Sequence, residues 1–147
     1  MVKLDKKDFQ ILQLLKENAK LTTSKISKKT AIPITTVHNR IKKLQKEGII
    51  KNYTVKVDNK KLGNLISAYI LINVDYSTIK KLNLTQLDLA DKIKKHPNVQ
   101  EADVITGQKD MIVKVNVKDM LELNKFISES LQIIPGIKQT ETVVVME

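Results

Sequence analysis

Apolar residues crowd residues 9–15, where Phe9, Ile11, Leu12, Leu14 and Leu15 supply one helical face. Asp5 with Asp8 three residues on is an acidic form of the capping box and sets the start of this first helix. A second start falls at Thr22 in LTTSKISKKT, with Ile26 and Ile32 turned inward. The third helix begins near Pro33, a residue that helix starts tolerate, and stops at Gly48. Three helices with short connections predict a compact tri-helical unit over residues 1–50. Then IIKNYTVKVD has strand character at Ile50, Tyr53, Val55 and Val57, and DNKKLGN predicts one helical turn between Asp58 and Gly63. Residues 51–64 therefore read as a strand and linker.

From residue 65 to 147 the pattern is that of a second domain. LISAYILINVD is a long β-rich run. LTQLDLADKIKKHP predicts a helix with Thr85 and Asp88 as capping box and Leu87, Ala90 and Ile93 as its stripe. VQEADVITG and MIVKVNV read as strands joined by the turn GQKD. DMLELNKFISESLQIIPG is a helix capped by Asp119 and Glu122 and ended by Pro135-Gly136, and IKQTETVVVME is a closing strand. The order β-α-β-β-α-β predicts a ferredoxin-like α+β domain, with both helices on one face of an antiparallel sheet. In the first strand both alternating sets, Leu65/Tyr69/Leu71 and Ile66/Ala68/Ile70/Ile72, are largely apolar, whereas a sheet with one wet face alternates. The helices cover one face only. The second cover is either the N-terminal half or a second subunit, and the prevalence of symmetric pairs favours a homodimer.

Charge sharpens the division. The chain carries a formal +10; residues 1–61 hold 16 Lys/Arg against 5 Asp/Glu, while residues 62–147 hold 10 against 11. A cationic half joined to a nearly neutral one points to a polyanionic partner. The cations concentrate where the third helix runs. On a wheel of about 100° per residue, Val37, Ile41 and Leu44 fall within an arc of about 60°. Thr35, Asn39, Lys42 and Lys46 lie opposite, Thr36, Arg40 and Lys43 line one flank and His38 the other. Glu47 is the one acid between residues 18 and 57. A narrow inward stripe under an acid-free outer face suits the major groove of double-stranded DNA, about 12 Å wide. In a helix-turn-helix unit the start of the recognition helix reaches bases, which assigns Thr35, Thr36, His38 and Asn39 to base edges. Arg40, Lys42, Lys43 and Lys46, with Lys25, Lys28 and Lys29 of the preceding helix, are then phosphate contacts.

Other chemistries find little support. His38 and His96 fall in different predicted domains, no Cys is present, and the four glycines are isolated, so neither a metal site, a nucleophile nor a phosphate loop is expected. Catalytic residues, metal and cofactor are accordingly expected to be none. An RNA-binding ferredoxin-like sheet would carry stacking aromatics, yet aromatics make up 3% of the chain and the second and third predicted strands have none. A small-molecule-binding oligomer with no transcriptional role would leave the cationic half unexplained. No apolar run approaches the roughly 18 residues of a membrane span. The acid-bearing N-terminus MVKLDKKDFQ does not read as a signal peptide, and a cytoplasmic location is expected.

With LDKKDFQILQLLKENAKLTTSKISKKTAIPITTVHNRIKKLQKEGII in front of it, a β-α-β-β-α-β module behind, TGQKDMIVKV supplying a Gly-x-x-Asp loop and IPGIKQTETVVVME closing it, the chain resembles the leucine-responsive regulatory protein/AsnC (feast/famine) family of transcription regulators. Val37, Arg40, Ile41, Leu44 and Gly48 fit the family's helix-turn-helix, which is winged-helix-like. The resemblance implies a DNA-binding regulator that dimerises through its C-terminal half, with dimers assembling to tetramers or octamers. It also implies an amino-acid effector near Gly107, Gln108, Lys109 and Asp110; the residues themselves establish only a hairpin turn. Two departures stand out. Ala31 and Pro33 occupy positions where the family commonly has Gly and a Ser cap, and DYSTIKKLNLT is longer than the usual connection after the first strand.

Overall fold

A computed structural model describes residues 3–146, and the chain divides after Lys56 into two compact units. In the first, α1 (Lys6–Glu17), α2 (Thr23–Thr30) and α3 (Ile34–Lys46) form the expected tri-helical arrangement. The Asp5/Asp8 capping box is present in both directions: the Asp5 carboxylate accepts from the Asp8 N–H at 3.1 Å, and Asp8 accepts from the Asp5 N–H at 3.0 Å. Ile11, Leu15, Ile26, Ile32 and Val37 pack into one apolar cluster, with Leu14, Leu21, Ile41 and Ile50 against it. Phe9, grouped by sequence with the apolar face of α1, is instead 59% exposed.

Residues 51–57 carry no strand, contrary to the β character of Tyr53, Val55 and Val57. The physical reason is pairing. A strand is stable only against another, and residues 51–56 belong to the first unit, which contains no strand among its described residues. Residues 59–63 form a turn in which the Asp58 side chain accepts from the Lys61 N–H and Gly63 takes a left-handed conformation.

The second unit is a four-stranded antiparallel sheet of β1 (Ile66–Val74), β2 (Val99–Val104), β3 (Met111–Val117) and β4 (Ile137–Val144), ordered β2-β3-β1-β4. This is the ferredoxin-like order. The helices α5 (Gln86–Lys94) and α6 (Met120–Lys125), the latter continued by a π-helical turn at Phe126–Leu131, lie over one face. Leu89, Ala90, Ile93, Leu123, Phe126 and Leu131 meet Ala68, Ile70, Ile72, Met111, Val113 and Val115 in the core. Thr85 and Asp88 form their reciprocal capping box. At α6 the cap differs from the expected box. Asp119 accepts from the Glu122 N–H, but Glu122 reaches past it to the Lys118 N–H at 2.7 Å and to the Asn98 amide at 2.9 Å.

The connection after β1 contains a short helix that the hydrophobic pattern does not predict, α4 (Tyr76–Lys81). Asp75 caps it, accepting from the backbone N–H groups of Ser77 and Thr78 and from both hydroxyls. Those bonds, led by the Thr78 and Ser77 hydroxyls, lower the Asp75 carboxyl to about 2. Ile79 is its one buried residue. It rests on Gly136, whose carbonyl accepts from the Asp75 N–H at 2.8 Å.

The open face of the sheet is not the second apolar surface that the first strand suggests. Tyr69, Leu71, Ile112 and Val143 align across the register, but Ser67, Asn73, Lys114, Asn116, Gln139 and Glu141 share the face. Lys114 lies 5.6 Å from the Tyr69 ring centroid, Lys109 pairs with Glu141 at 2.8 Å, and Ser67 donates to Asn116 at 2.7 Å. The result is an apolar strip within a polar frame. The strands on either side of β1 supply most of the polar groups, which β1 read alone cannot reveal.

Candidate nucleic-acid interface

The turn between α2 and α3 is shaped by residues 30–33. Thr30 donates its hydroxyl to the Ile26 carbonyl at 2.8 Å, and Ala31 adopts φ 57°, the left-handed conformation more common for glycine. Pro33 begins α3 with φ near −55° and no side-chain cap. Val37 and Leu44 are buried and Ile41 half-buried, so the predicted narrow stripe is the anchored face. After α3 the N–H groups of Ile49 and Ile50 both reach the Leu44 carbonyl, with Gly48 at φ 69° closing the helix.

The opposite face is open. Thr35, His38, Asn39, Lys42, Lys43 and Lys46 are exposed and Thr36 is half-buried; on α2, Lys25, Lys28 and Lys29 are exposed too. These six lysines make no ion pair among the described residues. Unpaired ammonium groups on one helix-turn-helix surface are what a phosphate backbone neutralises with release of counterions.

Arg40 is set apart from them. Its Nη1 lies 2.8 Å from Asp5 Oδ1 and 2.7 Å from Asp8 Oδ1, bridging the two carboxylates that cap α1. Asp8 is 2% exposed and Arg40 half-buried. Hydrogen bonding to Asp8 and then Asp5 raises the guanidinium pKa, and the same contact, with the Asp8 N–H, holds the Asp5 carboxyl below its usual range. The arginine that the sequence places with the phosphate contacts thus fastens α3 to the start of α1. Sequence separation hides this pairing. The available clue is two acids at one cap beside a helix otherwise poor in them.

In the second unit, Gly107, Gln108, Lys109 and Asp110 lie together between β2 and β3. Gly107 has φ 135° and open space where a Cβ would stand. Asp110 is fully engaged: one carboxylate oxygen accepts from the Val74 N–H at 2.8 Å and the other from the Tyr76 hydroxyl at 2.6 Å. Val74 stands at a register irregularity of β1, where the carboxylate satisfies a donor the ladder leaves over. Asn73 donates to the Gln108 carbonyl at 2.9 Å, and Gln86 donates to the Tyr76 hydroxyl at 2.7 Å. Asp110 and Gln108 therefore tie this loop to the end of β1 and the start of α4.

Comparison with known proteins gives both units a family. Residues 67–147 match the Lrp/AsnC ligand-binding domain, and residues 4–51 match a winged helix-turn-helix DNA-binding model. The chain belongs to the Lrp/AsnC family of transcription regulators. It is a DNA-binding, helix-turn-helix regulator carrying the Lrp/AsnC ligand-binding domain. An uncharacterised HTH-type transcriptional regulator of Pyrococcus furiosus is 40% identical over 141 residues, covering 96% of this chain and 91% of its own length. The HTH-type transcriptional regulator FL11 of Pyrococcus horikoshii is 34% identical, covering 99% and 91%. Among solved structures, a transcriptional regulator of Neisseria meningitidis in complex with L-Met has a TM-score of 0.87 at 25% identity, covering 99% of this chain and 91% of that one. E. coli AsnC has a TM-score of 0.82 at 26% identity, covering 99% and 94%. In this Lrp/AsnC chain no helix among the described residues is long and apolar enough to cross a membrane.

Proposed function

We propose that α3 is the recognition helix, with Thr35, Thr36, His38 and Asn39 meeting base edges in the major groove. Lys42, Lys43 and Lys46, with Lys25, Lys28 and Lys29, hold phosphates, while Arg40 sets the helix from behind. The observation that supports this most is the exposed, acid-poor face of α3 above its buried Val37 and Leu44. We read the domains as 1–50, 51–64 and 65–147, with the linker spanning the division after Lys56. Two copies pack through the strip Tyr69, Leu71, Ile112 and Val143, giving a homodimer able to present two recognition helices, and dimers assemble further. An amino acid is the effector, as the L-Met complex of the Neisseria relative suggests. It binds beside residues 107–110, where Asp110 and Gln108 shape the loop. The protein works in the cytoplasm and has no catalytic role.

Asn39→Ala tests the base-edge assignment. Its affinity for a duplex selected from random sequence should fall about tenfold or more, since a good bidentate pair is worth roughly 1–3 kcal/mol. Affinity for unselected duplex should stay unchanged. An equal loss on both duplexes, or no loss on either, contradicts the assignment.

A further inference from the structure

On the helical side of the second unit, away from the 107–110 loop in sequence, lies a cavity of about 360 Å³ between the end of α5 and the π-helical turn. Ligand pockets run from roughly 300 to 1,000 Å³. Its floor is apolar and buried: Phe126 is 4%, Leu131 1% and Ile134 8% exposed. Its rim is polar and cationic, carrying Lys92, Lys95, His96 and Ser130, with Ile133 exposed beside them. The lysines make no ion pair among the described residues, and the Ser130 hydroxyl has no hydrogen bond there.

The histidine is oriented. Its Nδ1 accepts from the Asn98 N–H at 3.2 Å, which leaves the neutral ring its proton on Nε2 as a donor. Its ring meets Phe126 edge-on, centroids 4.7 Å apart. The wall opposite is the Phe126–Leu131 π-turn, and such turns occur often at functional sites. Donors without acceptors stand above an apolar cup, and no carboxylate lines it.

From this geometry we infer a second ligand site, separate from the 107–110 loop, that takes a small amphipathic monocarboxylate. The apolar body enters against Phe126, Leu131 and Ile134. The carboxylate stays at the rim, where Lys92 and Lys95 supply charge and His96 Nε2 and Ser130 supply hydrogen bonds. A neutral or cationic ligand of the same shape would leave the rim donors without acceptors.

Octanoate is the probe, titrated into the full-length protein with methyl NMR as readout and octylammonium as the charge-reversed control. Shifts are expected at the Ile93, Leu131, Ile133 and Ile134 methyls. Lys92→Gln with Lys95→Gln, both exposed positions, should weaken octanoate by about tenfold with the remaining spectrum unchanged. A second variant, Ser130→Phe, should block binding by filling the cup. Absence of shifts at these methyls, equal binding of octylammonium, or undiminished affinity in the lysine variant overturns the proposal.

Discussion

Arg40→Met is expected to destabilise the helix-turn-helix unit by about 2 kcal/mol, because it strands the buried Asp8 carboxylate without its partner. A fully buried pair would cost roughly 3–5 kcal/mol, and the discount reflects the 24% exposure of the Arg40 side chain. Arg40→Lys keeps the charge but not the guanidinium geometry that sets Nη1 against both Asp5 and Asp8, so it should fall between wild type and Arg40→Met. The pH dependence follows from the lowered Asp5 carboxyl. A carboxyl lowered in the folded state adds stability above its unfolded value of about 3.9 and loses it as pH falls through the folded value. The gap between wild type and Arg40→Met should therefore narrow below about pH 4. Thermal unfolding followed by helical circular dichroism, at neutral and acid pH, reads this directly. An unaltered midpoint at neutral pH would mean that the ion pair contributes nothing to stability.

Gly136→Ala should cost the second unit about 3 kcal/mol, from two sources that the structure separates. The backbone stands at φ 99°, a conformation L side chains rarely adopt, and the new Cβ would lie 2.4 Å from Ile79 Cγ2. Removing that methyl with Ile79→Ala leaves the first cost and relieves the second. The two substitutions should therefore couple, the double variant losing less than the sum of the singles. Denaturant unfolding of the four proteins forms the cycle. Strict additivity would show that α4 shifts to accommodate the methyl and that its docking on Gly136 is soft.

The parts of this fold that show in the sequence are those set by neighbours close along the chain. Asp5/Asp8, Thr22 and Thr85/Asp88 mark helix starts because a cap acts within three residues. The sheet order follows from the element sequence. Failures come where a distant or absent partner decides. Tyr53, Val55 and Val57 have strand chemistry, yet residues 51–57 pair with no strand among the described residues. In α4 only Ile79 is buried, so periodicity is silent and the Asp75-Ser77-Thr78 cap is the sole local signal. The π-turn at Phe126–Leu131 has no signature that separates it from the helix it continues.

The candidate site divides in the same way. Exposure of Thr35, Asn39, Lys42 and Lys46 follows from the wheel, whereas Arg40 turns toward Asp5 and Asp8, acids more than 30 residues away. Asp110 was legible as part of a loop, but not as the acceptor for Val74 and Tyr76, because the irregularity in β1 that frees the Val74 N–H leaves no trace in the sequence.

The central claim is that the lysine-rich face of α3 neutralises duplex phosphates. Its most direct test is the affinity of the full-length protein for duplex DNA as a function of salt, alongside the triple variant Lys42→Gln, Lys43→Gln and Lys46→Gln. Log affinity should fall linearly with log salt, each phosphate contact adding about −0.9 to the slope, and the variant should be shallower by up to three such steps. A flat response in the wild type, or an identical slope in the variant, would contradict the account.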